Sequence, residues 1–282
     1  MPRILRFTEV AEFSRCVTPF LALHEAGNSL PFRIMGSLAA KPGPLPAGIY
    51  LAACLATERD DAQVVGVALH TPPFNLVLSS PFSGEALTAL LADTVGKNLP
   101  GVLGPVAEAE AFAAGWRAHT HGTSSVTMRL GTYALQQATP TPRTAGRLRA
   151  ATPPDAPLAR EWIHAFHAEA LPHAPPAAEP VDLDGYHFWE VDGIPVTAVR
   201  ARRATPHGAV INDVYTPPAL RRKGYATAAV AAASAAMLAT GNTVCFLFTD
   251  LNNPTSNAIY QRIGYRPIGE FRQITFKSAA GA

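Results

Sequence analysis

The pattern of apolar residues and turn formers runs through one order of elements twice, and this repetition restricts the fold more than any other feature of the chain. In the first half, Thr8 reads as the N-cap of a helix from Glu9, Thr18-Pro19 opens a further turn of helix, and Asn28 to Leu38 reads as a short helix. Strand-like runs follow at Ile49–Thr57, Ala62–His70 and Asn75–Ser79, with Arg59-Asp60-Asp61 as a hairpin turn between the first two. Gly84–Lys97 carries Leu87, Leu90, Leu91 and Val95 at helical spacing. Val106–His119 predicts a second helix and Ser125–Gln136 a strand. The second half begins with a short strand at Arg147–Ala151 and a helix capped by Asp155 that runs to Ala170. Strands at Tyr186–Val191 and Ile194–Arg203 are joined by Asp192-Gly193, a two-residue hairpin signal. Then come a strand at Ala209–Tyr215, a helix at Gly224–Thr240, a strand at Val244–Thr249, a helix at Pro254–Ile263 and a strand at Tyr265–Phe276. Between the copies, the stretch ATPTPRTAGR has no apolar periodicity and reads as a linker. The expected architecture is α/β: tandem units over 1–137 and 148–282 with a linker at 138–147, each unit a mixed, mostly antiparallel sheet flanked by helices. Each half is long enough to bury its own core.

Composition narrows the function. Apolar residues make up 48% of the 282, enough to offset chain entropy, so global disorder is excluded. Lys and Arg number 23 against 21 Asp and Glu, a net charge of +2 with no long basic run, which argues against a dedicated nucleic-acid binder. Cys16, Cys54 and Cys245 are far apart and form no C-x-x-C pair, so neither a disulfide framework nor a zinc knuckle is indicated. The longest apolar run, Ala226–Ala239, is interrupted by Thr227 and Ser234 and falls short of the about 20 residues a bilayer requires. Arg3 and Arg6 flank no apolar core of the kind a signal peptide carries. The expectation is a soluble, cytoplasmic protein without membrane or nucleic-acid partners, and the richness in Ala, Pro and Arg is that of a high-GC bacterial genome.

The segment Val214–Thr227, VYTPPALRRKGYAT, carries the strongest chemical signal. Pro217 and Pro218 stop a strand. Arg221, Arg222 and Lys223 then lead through Gly224, Tyr225 and Ala226 into a helix whose first amides lack carbonyl partners. Those amides and the positive end of the helix suit an anion such as pyrophosphate. Gly224 permits positive φ or close approach, Ala226 is small for the same steric reason, and the cations attract phosphate.

This segment resembles motif A of the GNAT superfamily of acyl-CoA N-acyltransferases, Gln/Arg-x-x-Gly-x-Gly/Ala, matched by Arg221, Gly224 and Ala226. Phe248–Phe271, FTDLNNPTSNAIYQRIGYRPIGEF, resembles motif B, at the separation of one helix and one strand that the family shows. The resemblance covers roughly Leu148 to Phe276. It implies two GNAT-like units and acetyl transfer from acetyl-CoA, as cosubstrate and without a metal, to a primary amine, most simply on a small molecule, by direct attack in a ternary complex. It assigns Val214, Tyr215 and Thr216 to the acyl and pantetheine portion, and the amides from Arg222 to Thr227 to the pyrophosphate. Asn253 and Asn257 fall near the pantetheine arm, and Tyr260 faces the thioester sulfur as general acid for the leaving thiolate. Family members often place a Glu base on the strand before motif A. Here that strand reads AVINDVYT, so Asp213 is the candidate base, with Asn212 beside it, Glu190 on a neighbouring strand and a water chain as alternatives.

The first half carries no such loop. After Asn75–Ser79 the chain reads SSPFSGEALTALL, so this copy is expected to be degenerate and to complete the substrate cleft. Cys245 sits in an expected buried strand with no His near it in sequence, which disfavours a covalent acyl-enzyme. His164 and His167 stand one turn apart without a third ligand in view, and His119 and His121 flank a helix C-terminus, where imidazolium suits the dipole. The acceptor pocket is expected from Leu158–Pro180, including the bend at Leu171–Pro180, and from the first half. The rival expectations are a non-catalytic acyl-CoA sensor, transfer of a longer acyl chain, and a regulatory interaction module.

Overall fold

The computed structural model describes residues 1–41, 43–59, 62–141, 143–170 and 181–277. The elements are β1 (Arg3–Arg6), α1 (Val10–Leu21), α2 (Ser29–Ala39), β2 (Tyr50–Leu55), β3 (Val64–His70), β4 (Leu76–Leu78), α3 (Gly84–Thr94), β5 (Gly101–Pro105), α4 (Val106–Thr120), β6 (Thr123–Leu135), β7 (Arg147–Ala150), α5 (Ala156–Ala170), β8 (Tyr186–Val191), β9 (Ile194–Arg203), β10 (Gly208–Tyr215), α6 (Tyr225–Ala239), β11 (Val244–Asp250), α7 (Pro254–Ile263) and β12 (Arg266–Lys277). The chain forms two compact units: Met1–Gly131 together with the chain from Gly269, and Thr132–Ile268.

This division corrects the expected one. The C-terminal strand does not stay with the second copy: from Phe271 to Thr275 it pairs antiparallel with Pro105 back to Gly101, satisfying the backbone edge of β5. Nor is 138–147 a free linker. Thr139 donates its amide to the Ile263 carbonyl at 2.8 Å, and the Trp189 indole donates to the Ala145 carbonyl at 2.8 Å, so the segment is bonded to the second unit. The hairpin at Arg59-Asp60-Asp61 and the bend at Leu171–Pro180 lie outside or partly outside the described residues.

In the first unit the strands run β1-β2-β3-β4-β5, then β12 and the first part of β6. Helices cover both faces. One layer buries Phe13, Val17, Leu21 and Met35 against Leu51, Leu55 and Leu69. The other buries Leu87, Leu90, Phe112 and Trp116 against Leu76, Leu78 and Phe276. Pro19 lies inside α1 rather than opening a new turn, and Glu9, not Thr8, is the residue before the helix. The strands β1 and β5 are absent from the sequence expectation. The glycines that weaken the strand signal of β5 are required by its packing: a Cβ on Gly101 would meet the Ile274 carbonyl oxygen, and one on Gly104 would lie 2.9 Å from Leu78 Cβ.

In the parallel pair β4–β5 the register runs from Leu76↔Val102 to Val77↔Leu103, and the Leu78 side chain packs against Gly104. The chain beyond β4 is clamped. Fully buried Asn28 donates to the carbonyls of Leu21 at 3.1 Å and Ser80 at 2.7 Å, and accepts from the Ser80 amide at 2.8 Å. Asn28→Ala would strand these buried backbone groups. It is expected to lower stability by roughly 2–3 kcal/mol in denaturant melts; a loss well under about 1 kcal/mol would mean that the clamp is dispensable.

In the second unit the order is β7-β8-β9-β10-β11, closed by the last part of β6. The hairpin between β8 and β9 turns at Asp192 and Gly193, both at positive φ (50° and 80°), as the sequence predicts. Alternation along the strands sends Val199 and Ala201 to the side of α6 and α7, and Ala198 to the side of α5. Helix α6 is rich in small residues, which lets it lie close on the sheet: Ala228, Ala229, Val230, Ala233 and Ser234 are buried. The Ser234 hydroxyl bonds the Tyr265 hydroxyl at 2.8 Å, tying α6 to the turn after α7.

Candidate active site

The strands β10 and β11 are hydrogen-bonded in parallel register only from Gly208↔Val244 to Val210↔Phe246, although β10 continues to Tyr215 and β11 to Asp250. On its other edge β10 keeps pairing with β9, but between Asn212↔Arg200 and Tyr215↔Ala198 it takes three steps against two. The extra residue is a bulge, and a bulge bends its strand. Asp213 sits in it with φ 48°. The two strands therefore part where the sequence places the donor-binding residues Val214, Tyr215 and Thr216. The Thr197 hydroxyl takes up the Tyr215 carbonyl at 2.7 Å and meets the Thr216 hydroxyl at 2.6 Å, fixing this strand end.

Beyond Thr216 the chain turns through Pro217–Leu220 and reaches α6. Arg222 (φ 64°) and Gly224 (φ 82°) are both left-handed, which turns the loop toward the first turn of the helix. The amides of Tyr225, Ala226 and Thr227 in that turn have no carbonyl within the helix to bond. Arg222, Lys223 and Gly224 are exposed. Arg221 is spent on the loop itself: its Nε donates to the Thr216 carbonyl at 2.8 Å and its Nη2 to Glu169 at 2.7 Å. It braces the loop, leaving Arg222 and Lys223 as the outward cations. A groove of roughly 650 Å³ lined by Gly185, Arg202, Met237 and Asn242 lies at the C-terminal end of α6, away from this loop.

Helix α7 supplies the other wall. Asn253 caps it, accepting the Ser256 amide at 3.1 Å. Asn257 donates at 3.3 Å to the carbonyls of Asp250 and Leu251, while its Oδ1 is buried without a partner among the described residues. That atom is free to accept an N–H, whereas Asn253 is occupied by the cap. Tyr260 is 9% exposed, stands edge-on to Tyr265, and burial pushes its phenol up to about 12. It therefore holds its proton throughout the neutral range.

Asp213 and Tyr260 are not brought together. Tyr260 belongs to the layer under α6 and α7. The Asp213 carboxylate turns to the other face, where it accepts from Arg200 Nε at 2.8 Å and from Asn212 Nδ2 at 3.2 Å, and Arg200 lies over the Tyr186 ring. Glu190 is likewise committed. It accepts from Arg149 and from Arg147, and these partners, Arg149 first, hold it below the usual carboxylate range. Both carboxylates are thus engaged by arginine side chains. Cys245 is fully buried, and burial pushes its thiol up to about 12, so it has no thiolate character at neutral pH. His167 packs against Phe166, and among the described residues no group of three His, Cys, Asp or Glu side chains could hold a metal ion.

A family model described as the acetyltransferase (GNAT) family matches residues 156–265. Residues 156–265 are a GNAT acetyltransferase domain. The matched stretch runs from the start of α5 to the turn after α7, so it holds the gap, the glycine loop and Tyr260. The chain thus carries an acyltransferase whose donor is an acyl-coenzyme A. Solved structures share the fold. A GCN5-related N-acetyltransferase from Sphaerobacter thermophilus superposes with TM-score 0.60 at 16% identity, over 98% of this chain and 95% of its own. A GNAT-family acetyltransferase from Colwellia psychrerythraea gives 0.58 at 12% identity, over 98% and 100%. A Drosophila protein gives 0.64 at 11% identity, over 98% of both chains. A comparison with curated proteins finds no match. The GNAT domain has no membrane-spanning helix, nor does any other described part of the chain.

Proposed function

We propose that the protein transfers an acetyl group from acetyl-CoA to a primary amine of a small molecule, by direct attack within a ternary complex. The observation that carries this function is the parting of β10 and β11 beyond Val210 and Phe246, with the glycine loop and the start of α6 at its mouth. In this function the amides from Arg222 to Thr227 hold the pyrophosphate, with Arg222 and Lys223 adding charge. Val214, Tyr215 and Thr216 border the acyl and pantetheine portion, and the unpartnered Asn257 Oδ1 accepts an amide N–H of the arm. The amine nitrogen attacks the thioester carbon, the C–S bond breaks, and Tyr260 gives the departing sulfur its proton. The ammonium proton formed on the product nitrogen leaves to water, since Asp213 and Glu190 are engaged by arginines. Tyr260 regains its proton from the same solvent.

The first unit acts in this scheme as a degenerate copy. After its parallel strand β4 it has no basic glycine loop, and the chain there is bonded to Asn28 instead. Calorimetric titration of acetyl-CoA and of free coenzyme A into the full chain is expected to give one site per chain, and a following amine panel is expected to give thiol release. Two sites would overturn the degenerate first unit. Binding without turnover over a broad panel would favour an acyl-CoA sensor, and no binding of either ligand would sink the proposed function.

A further inference from the structure

We propose that Asp213 is a positioning residue, and that its ion pair with Arg200 locks the bulge that holds β10 away from β11. This rests on the donor gap described above, and it replaces the role of base that the sequence suggests for this carboxylate. Asp213 occupies the left-handed region at φ 48°, a conformation that side chains other than glycine, Asn and Asp seldom adopt. A strained bulge persists only where its surroundings hold it. Here they do so from several directions. Arg200 Nε bonds Asp213 Oδ2 at 2.8 Å, and Asn212 Nδ2 bonds Oδ1 at 3.2 Å, so both carboxylate oxygens are used. Arg200 is itself fixed: its side chain is 9% exposed, its Nη1 donates to the Asp184 carbonyl at 2.9 Å, and its guanidinium lies 5.2 Å from the centre of the Tyr186 ring.

The register makes the pair a lever. Arg200 sits opposite Asn212, the last matched residue before the bulge, and Ala198 opposite Tyr215, the first after it. The ion pair thus ties the inserted residue of β10 back to β9, which is the direction that draws Val214 and Tyr215 out of register with β11. Without it the inserted residue is held to β9 by the backbone ladder alone, and the strand end at Val214–Thr216 opens more often.

The test combines amide hydrogen exchange of the free protein with calorimetric titration of free coenzyme A. Asp213→Ala and Arg200→Met are each expected to speed exchange at Val214–Thr216 about tenfold or more relative to β8, and to weaken coenzyme A by about the same factor. Asp213→Asn tolerates the left-handed backbone and keeps an acceptor for Arg200. It is expected to restore both readouts to within about threefold of the parent. The double variant should be no worse than either single one, because both changes break the same contact. Parent-like exchange at Val214–Thr216 in Asp213→Ala, or additive losses in the double variant, would overturn the proposal. If Asp213→Ala fails to fold, Arg200→Met against Asp213→Asn carries the same comparison. Should the parent itself not bind coenzyme A, the proposed function falls while the exchange data still decide whether the pair holds the bulge.

Discussion

Gly224→Asp is expected to remove measurable coenzyme A binding while the protein stays folded. Two effects act together. Gly224 has φ 82°, and a Cβ there would lie 3.2 Å from the Thr144 hydroxyl, so that side chain must give by a few tenths of an ångström. Holding a side chain in that region costs about 1–2 kcal/mol, less for aspartate than for most residues. The carboxylate would also stand beside the phosphates, where two like charges about 4 Å apart repel by about 1–4 kcal/mol near a protein surface. Together they amount to roughly a hundredfold loss or more in affinity. Gly224→Ala separates the two: it carries the backbone strain without the charge and is expected to fall between parent and aspartate. Titration calorimetry reads both variants, and a thermal melt close to the parent's shows that the loss is local. Unchanged affinity in Gly224→Asp would remove the loop from the phosphate site.

This loop was legible because its chemistry is local. Prolines that end a strand, a left-handed glycine and a small residue at the helix start are written within ten or so positions, and Pro254–Ile263 follows with its cap and its closing Gly264. What the sequence hid depends on distant partners. β5 is marked by glycines that would argue against a strand, until Ile274 and Leu78 are seen pressing on them. The pairing of β12 with β5 joins residues more than 160 positions apart, and nothing in either segment names the other. The partner of Asp213 was hidden for the same reason: the arginine that bonds its carboxylate lies on the neighbouring strand and left no mark in the local pattern. In the first unit the absence of a basic glycine loop was readable. The clamp on the chain after β4 was not, since Asn28 reaches Ser80 across 52 residues.

Tyr260→Phe is expected to lower turnover by roughly a hundredfold, the range of a single general acid, with coenzyme A affinity within about threefold of the parent. The phenol is deeply placed, and burial pushes it up to about 12, which raises the question of whether so weak an acid can serve a thiolate. The surroundings answer it. Burial alone pushes the Cys245 thiol of the same apolar layer up to about 12 as well. A thiolate expelled beside apolar side chains is a stronger base than in water, which eases transfer of the phenol's proton. The same shift fixes a pH signature. Because the phenol stays protonated until pH approaches 12, turnover should show no alkaline fall attributable to Tyr260 below about pH 11. Phenylalanine keeps the ring that stands edge-on to Tyr265 and removes only the hydroxyl, so folding and donor binding should persist. Full activity in Tyr260→Phe would remove the residue from proton transfer and leave the sulfur to be protonated by water. A loss of affinity equal to the loss of turnover would mean that the hydroxyl binds the donor in the ground state instead of serving the leaving group.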